Sequence, residues 1–270
     1  MIQPELKHLA SGTPKAAQII AEAEFGYRQM RPYLETLSPG ASVLEVGSGP
    51  CILLAQIVSD FPLLSVTGIE PIGPGFDGFE ATLTQIRAQY CFQLVNAGYE
   101  DFSANQSFDL IFSINVFEHL PDWRHFLRFV RARLRRGGKC VILCPNYGFP
   151  YESHFGLPIF INKAFTERLF RRRIAEFEGA NGYQGLWSSL NFVSWREVRR
   201  EAAREGIHIV FRSGILRQMI ERLHTDTEFR ERQRAIASVS EWMLRIGIVR
   251  LLEAPMFRFV LPYMFLEITP

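Results

Sequence analysis

From Val43 to Cys144 short apolar runs alternate with stretches of helical periodicity. The runs predict strands at Ser42–Val46, Leu64–Ile69, Phe92–Asn96, Phe108–Ile114 and Cys140–Cys144. Between them lie predicted helices at about Cys51–Ser59, Phe79–Tyr90 and Asp122–Arg135. Strand, helix and strand at this spacing imply right-handed crossovers and a parallel sheet. Runs rich in Val, Ile and Leu with little alternation fit a sheet covered on both faces. Ahead of the sheet, residues 14–37 read as a helix that opens at Pro14 and carries Ile19, Ile20, Ala23, Tyr27, Met30 and Leu34 on one stripe.

After Cys144 the rhythm changes. Residues 145–193 are loop-rich and aromatic, with one predicted helix at 163–177. Ser194, with Glu197 three residues on, marks a capped helix that ends near Gly206. Ile207–Arg212 reads as a strand, about 215–252 as helical, and Met256–Ile268 as a last strand despite Pro262. The expected organisation is a helical lid at 1–40, a ligand-binding core at 41–145 and a cap insertion at 146–193. Residues 194–270 complete the core and carry a helical insertion at about 215–252.

Composition narrows the function. The chain has 270 residues, 30 basic and 28 acidic, for a net charge of +2, so a nucleic-acid partner is not expected. An apolar share of 47% argues against disorder. Four cysteines, none in a C-x-x-C pair, fit a reducing, cytoplasmic compartment. The N-terminal MIQPELKHLASGTPK lacks the apolar core of a signal peptide, and no apolar run is long enough to predict a membrane-spanning helix. Peripheral membrane contact stays open at Arg171–Arg173 and at the C-terminal VLPYMFLEITP, where a solvated helix face and a core edge strand are the favoured readings.

The chemistry concentrates in VLEVGSGPC at 43–51. A buried strand ends at Glu45-Val46, and Gly47 and Gly49 then form a turn that lets backbone approach a ligand. The helix that follows presents its N-terminus to the same place. A dinucleotide-binding loop needs a small residue where Ile52 stands, and Glu45 would repel a pyrophosphate. The same carboxylate suits a ligand carrying an ammonium and a sulfonium. Glu70, at the tip of the second strand in VTGIEP, can accept both hydroxyls of a ribose. The fourth strand ends in a polar tip, in FDLIFSINVFEHLPDW.

With RRGGKCVILCPN, these stretches make residues 43–146 resemble the class I S-adenosylmethionine-dependent methyltransferases, especially the ubiquinone-type and small-molecule O-methyltransferase branch. The resemblance implies a Rossmann-like α/β fold, with a seven-stranded sheet that is mostly parallel and a last strand that is antiparallel. It implies S-adenosylmethionine as cofactor, with Glu45, Gly47, Ser48 and Gly49 around its methionine part. Glu70 would hold the ribose, and Pro71 and Ile72 would lie against the adenine. Ser113 and Asn115 would bring backbone to the methionine ammonium. Two departures stand out. Gly98 occupies the place of an acidic adenine contact, leaving Tyr99, Glu100 or Asp101 as substitutes, and Pro50-Cys51 narrows the glycine turn.

The implied activity is methyl transfer to a small-molecule acceptor, in the first instance a hydroxyl on an aromatic or lipid-like compound. A cofactor-binding, non-catalytic partner subunit of the same fold is the alternative. A hydroxyl acceptor gains from a general base, and His119 and His154 are the candidates, with His125 read as a helix-face residue. Some ubiquinone-type relatives show Glu-x-x-Glu-His and use a divalent metal. Here Asn115 replaces the first glutamate before Glu118-His119, so no metal site is expected: one carboxylate and one imidazole suit a hard cation poorly. The rings of the insertion, from Tyr147 to Trp187, serve equally well as an acceptor pocket or as the insertion's own core.

Overall fold

The computed structural model describes residues 1–270 except 14, 73–77, 103–104, 255 and 258–260, together with the side chains at 232, 234–236 and 238. Pro14, the middle of the loop after the second strand and part of the expected Met256–Ile268 strand therefore lie outside the described residues.

Strands β1 (Ser42–Val46), β2 (Ser65–Ile69), β3 (Gln93–Val95), β4 (Phe108–Ile114) and β5 (Leu134–Pro145) follow the predicted order. With β8 (His208–Phe211) and β9 (Tyr263–Thr269) they form a seven-stranded sheet in the order β3-β2-β1-β4-β5-β9-β8. The sheet is mostly parallel, with an antiparallel final strand. Strands β6 (Tyr151–Glu152) and β7 (Leu157–Pro158) form a separate antiparallel hairpin. The helices are α1 (Pro4–Ala10), α2 (Ala16–Leu34), α3 (Ile52–Asp60), α4 (Glu80–Gln89), α5 (Trp123–Arg133), α6 (Lys163–Asn181), α7 (Leu186–Ser189) and α8 (Trp195–Arg204). The region expected to be helical near 215–252 holds α9 (Ile215–Thr225), α10 (Thr227–Arg232), α11 (Arg234–Arg245) and α12 (Ile248–Leu252). No helix among the described residues is long and apolar enough to cross a membrane.

The chain divides into two compact units. The first comprises 1–114, 125–141 and 268–270, and the second 115–124 and 142–267. In the first unit β1 pairs in parallel with β2 on one side and β4 on the other, and every one of its residues is buried. That absence of alternation is what a doubly covered parallel strand requires. Glu45 lies opposite Gly68 of β2 and Phe112 of β4, so the carboxyl ends of these strands come level. Helix α2 packs closely on α3 and β4, since a Cβ at Gly26 would stand 3.0 Å from Ile114 and 3.1 Å from Leu53. Helix α1, which the periodicity did not reveal, is tied down through the Gln3 amide to the Gln56 side chain at 2.7 Å.

Several boundaries differ from expectation, among them the end of the helix at 163, which runs to Asn181, and two that have a clear physical reason. The helix expected to reach Arg135 stops at Arg133, and β5 starts at Leu134. Arg135 pairs with Asp109 of β4 at 2.7 Å, and Asp109 also accepts the Ser42 amide of β1. A Cβ at Gly138 would meet the carbonyl oxygens of Phe108, Asp109 and Arg135, each at 3.0 Å, so the start of β5 runs close against β4. The last strand begins after Pro262, which has no amide proton for a ladder.

In the second unit the insertion has a core of its own. Phe155, Leu157, Ile174, Trp187 and Leu190 are buried together, with Tyr147, Phe170, Phe177, Leu186 and Phe192 packed on them. Of the rings from Tyr147 to Trp187, Tyr147, Phe155 and Trp187 belong to this core, whereas Phe160 and Phe165 stand exposed. The Ser194–Glu197 capping box forms as expected, with the Glu197 carboxylate accepting the Ser194 amide at 3.0 Å.

The tightest point of the first unit yields a test. A Cβ on Gly68 would sit 2.4 Å from Leu54 Cδ1 and 2.8 Å from Ser48 Oγ. Gly68→Ala should therefore lower unfolding stability by roughly 1–3 kcal/mol, the usual range for overpacking, as read by denaturant titration.

Candidate active site

Two groups of chemically active residues are built, one in each unit. The first surrounds the carboxyl ends of β1 and β2. The Gly47 and Ser48 amides both donate to the Ile69 carbonyl, at 2.9 and 3.2 Å, which folds the turn after β1 against the end of β2. Gly47 and Gly49 have φ of +82° and +50°, conformations glycine reaches without penalty. Cys51 follows at +63°, buried at the start of α3, its thiol pushed up to about 12 chiefly by burial. Its sulfur contacts Ser48 Oγ at 3.7 Å.

Glu70 accepts the Gly49 amide at 2.8 Å through Oε2, which ties the β2 tip to the glycine turn. Burial raises its pKa, and the Gly49 amide pulls it partly back. Glu45 is 5% exposed, and among the described residues nothing donates a hydrogen bond to its Oε2. Its pKa is pushed well up, first by burial and then by the Glu70 carboxylate. Ser113 Oγ, at the end of β4, is also fully buried without a hydrogen-bond partner among the described residues. A buried acceptor in this condition costs free energy, and a cationic ligand would relieve it.

The remaining expected contacts fall as follows. Pro71 and Ile72 follow the β2 tip, and the Ile72 amide donates to Asn96 Oδ1 at 2.8 Å. Asn96 had not been singled out, since a lone asparagine after a strand carries no signal in sequence. Tyr99 is buried, its ring 5.0 Å from Phe126 and 5.7 Å from His125, so it serves the core. Glu100 is exposed, and its Oε2 lies 2.6 Å from where a Cβ at Gly98 would stand. Its carboxylate therefore reaches back over the position that lacks an acid. Asp101 is also exposed, in the same short turn.

The second group lies in the second unit. Asn115 takes φ +56°, which asparagine tolerates better than most residues, and its amide donates to Leu143 at 2.9 Å. A 3-10 turn at Phe117–His119 follows, in which Glu118 is fully buried. Asn191 holds this turn from outside. Its amide donates to the Glu118 carbonyl at 2.7 Å, and its side chain donates to the Phe117 and Leu120 carbonyls at 2.8 and 3.1 Å. Sequence reasoning missed Asn191, which stands more than seventy residues from its partners.

The hairpin brings His154 to the same place. The His119 and His154 rings meet edge to face, 5.4 Å apart. Their Nε2 atoms stand 4.0 and 3.9 Å from the same Glu118 oxygen, Oε1. Each Nδ1 is engaged elsewhere: His119 with Ser189 Oγ at 2.9 Å, His154 with Glu152 Oε1 at 2.6 Å. Glu152 is wholly buried and also accepts the His154 and Phe155 amides at 3.0 and 2.7 Å. Burial raises its pKa, but the His154 ring and these amides outweigh that and leave it lowered. Burial and the neighbouring His154 push His119 down to about 4, so its ring is neutral at pH 7. The two candidate bases, 35 residues apart in sequence, thus form one cluster with Glu118. His125 lies on α5, beside Tyr99.

The chain is similar to several known proteins. Residues 44–140 match a family described as a methyltransferase domain. An uncharacterized protein of Mycobacterium tuberculosis (strain ATCC 25618 / H37Rv) is 37% identical over 231 residues, 83% of this chain and 75% of that one. A tRNA U34 carboxymethyltransferase of Alteromonas mediterranea is 27% identical over 124 residues, 44% of this chain and 37% of that one. Among solved structures, the cyclopropane synthase MmaA2 of Mycobacterium tuberculosis is similar in fold, with TM-score 0.54 and 17% identity over 89% of this chain and 82% of that one. Phosphoethanolamine N-methyltransferase 2 of Haemonchus contortus, in complex with S-adenosyl-L-methionine, has TM-score 0.52 and 16% identity over 90% of this chain and 51% of that one.

The state of Glu45 sets a stability test. An acid whose pKa is raised by folding keeps a proton that the unfolded chain gives up, so stability falls as pH rises above the unfolded value of about 4.5. Glu45→Gln should remove its share of that dependence and leave the share of Glu70. The variant should melt above the parent near neutrality, and the gap should close as pH falls towards 4.5, in thermal scans without ligand.

Proposed function

We propose, from the premise that the chain belongs to the class I S-adenosylmethionine-dependent methyltransferases, that it methylates a hydroxyl on a small aromatic or lipid-like molecule. The enzyme draws its methyl group from S-adenosylmethionine. The observation that carries the cofactor site is the buried Glu45 oxygen without a donor, next to Glu70 and the glycine turn. A ligand with an ammonium and a sulfonium supplies the missing positive charge. Glu45, Gly47, Ser48 and Gly49 take the methionine part, assisted by Ser113. Glu70 keeps one oxygen on the Gly49 amide and offers the other to the ribose hydroxyls. Pro71 and Ile72, held by Asn96, form the adenine wall, and Glu100 takes the place of the acid missing at Gly98.

The hydroxyl reading rests on the Glu118, His119 and His154 cluster, whose first member lies four residues beyond β4 along the chain. The acceptor oxygen attacks the methyl carbon in line. The carbon–sulfur bond breaks with its electron pair on sulfur, leaving S-adenosylhomocysteine, and the hydroxyl gives up its proton. Alignment supplies up to about 7–11 kcal/mol in favourable systems. Assistance to the departing proton adds roughly 10²–10⁴ in rate. His119 and His154 are where that assistance is placed.

Two measurements test this reading. Glu70→Ala should weaken S-adenosylmethionine binding at least about tenfold, or about 1.4 kcal/mol, with the melting midpoint little changed; equal affinity by calorimetry would count heavily against the ribose role. Methyl-labelled cofactor offered with a panel of phenols, long-chain alcohols and matched amines should mark oxygen. Transfer confined to nitrogen would overturn the hydroxyl reading.

A further inference from the structure

We propose that Glu118, His119 and His154 bind one first-row transition-metal dication of the zinc class, and that this cation receives the acceptor oxygen. The second half rests on the hydroxyl reading above. Three donor atoms, one from each residue, lie within 4.8 Å of one another. Both Nε2 atoms face Glu118 Oε1, at 4.0 and 3.9 Å. Ligands about 2.0–2.2 Å from a tetrahedral ion stand roughly 3.3–3.6 Å from each other. Each Nε2 would move towards Glu118 Oε1 by about half an ångström, and the widest pair, at up to 4.8 Å, would close by about 1.2–1.5 Å, to complete the shell.

The surroundings are those of a ligand set. A metal-binding imidazole commonly donates its far N–H to a carboxylate or other acceptor, which fixes the tautomer and aims the near nitrogen at the ion. His154 does this with Glu152 at 2.6 Å, and His119 meets Ser189 Oγ at 2.9 Å. Glu152 is in turn held by the His154 and Phe155 amides and by the Tyr147 hydroxyl at 3.3 Å. Asn191 pins the turn that carries Glu118 and His119. Two wholly buried carboxylates, Glu118 and Glu152, stand on either side of one imidazole, and a dication between the Nε2 atoms balances their charge. Two nitrogens and one oxygen select zinc, iron or cobalt over magnesium or calcium, which want several oxygens. Three protein ligands leave a position open for an oxygen of the acceptor. The two histidines then assist through the cation and not as proton acceptors: a bound hydroxyl loses its proton to solvent more readily, and the oxygen keeps the electron pair it uses on the methyl carbon.

The test uses full-length protein stripped with a chelator and titrated with cobalt(II). One equivalent per chain should bind, with visible absorption of a site below six-coordinate, displaced by zinc and unaffected by equimolar magnesium. His154→Ala should abolish the spectrum. Glu152→Gln, which leaves all three ligands in place, should weaken binding about 10–100-fold. Should His154→Ala not fold, ring-nitrogen resonances of the parent decide: zinc should shift those of two histidines. Absence of cobalt binding, a spectrum that survives His154→Ala, or zinc shifts at other histidines would each overturn the site. Metal-stripped enzyme that methylates hydroxyls at the full rate would overturn the catalytic half alone. Stoichiometric metal without any hydroxyl transfer would leave the site standing and overturn the function on which its role rests.

Discussion

A carboxylate buried at the carboxyl end of a central strand is the constraint on which the first unit turns. Glu45 stands on β1, paired on both sides and buried along its length, one place before the strand ends. Nothing among the described residues donates to its Oε2, and Glu70 raises its pKa further. Hydrophobic burial of the surrounding sheet holds this group in place, because Val43, Leu44 and Val46 cannot leave the core without loss. The fold thus gives up part of its stability to hold a buried acid with an oxygen that nothing among the described residues satisfies. Local departures from the most stable choice are expected where a protein works.

The glycine turn follows from the same geometry. For Glu70 to reach the Gly49 amide, the chain after β1 must fold back onto the β2 tip, and the Gly47 and Ser48 amides do so on the Ile69 carbonyl. Gly68 is bare because Leu54 and Ser48 occupy its side-chain space. Strand register, turn conformation and the two acids are therefore one arrangement.

The second unit organises its chemistry differently. Its polar cluster is assembled by a hairpin, a 3-10 turn and a loop asparagine, supported by the aromatic core of the insertion. Glu152 and Asn191 support this cluster from behind. One orients an imidazole through its far nitrogen and the other caps the turn beneath Glu118.

What the sequence by itself determined is the sheet order of chemistry: where strands end, which acids stand at their tips, and where glycine permits a turn. These are local properties. Apolar runs mark β1 and β4 to the residue, Gly47 and Gly49 mark the turn, and Ser194 with Glu197 marks a helix start. Boundaries set by distant partners were less legible. Arg135 reads as helical until Asp109 of β4 takes it, and α1 shows only through its bond to Gln56. Only the tertiary structure decided that the insertion's rings pack on one another, that Glu100 leans over Gly98, and that His154 joins Glu118 and His119. The reason is physical: the spacing Asn115-x-x-Glu118-His119 shows one carboxylate and one imidazole, while the second imidazole arrives on a hairpin whose position depends on long-range packing that no local pattern encodes.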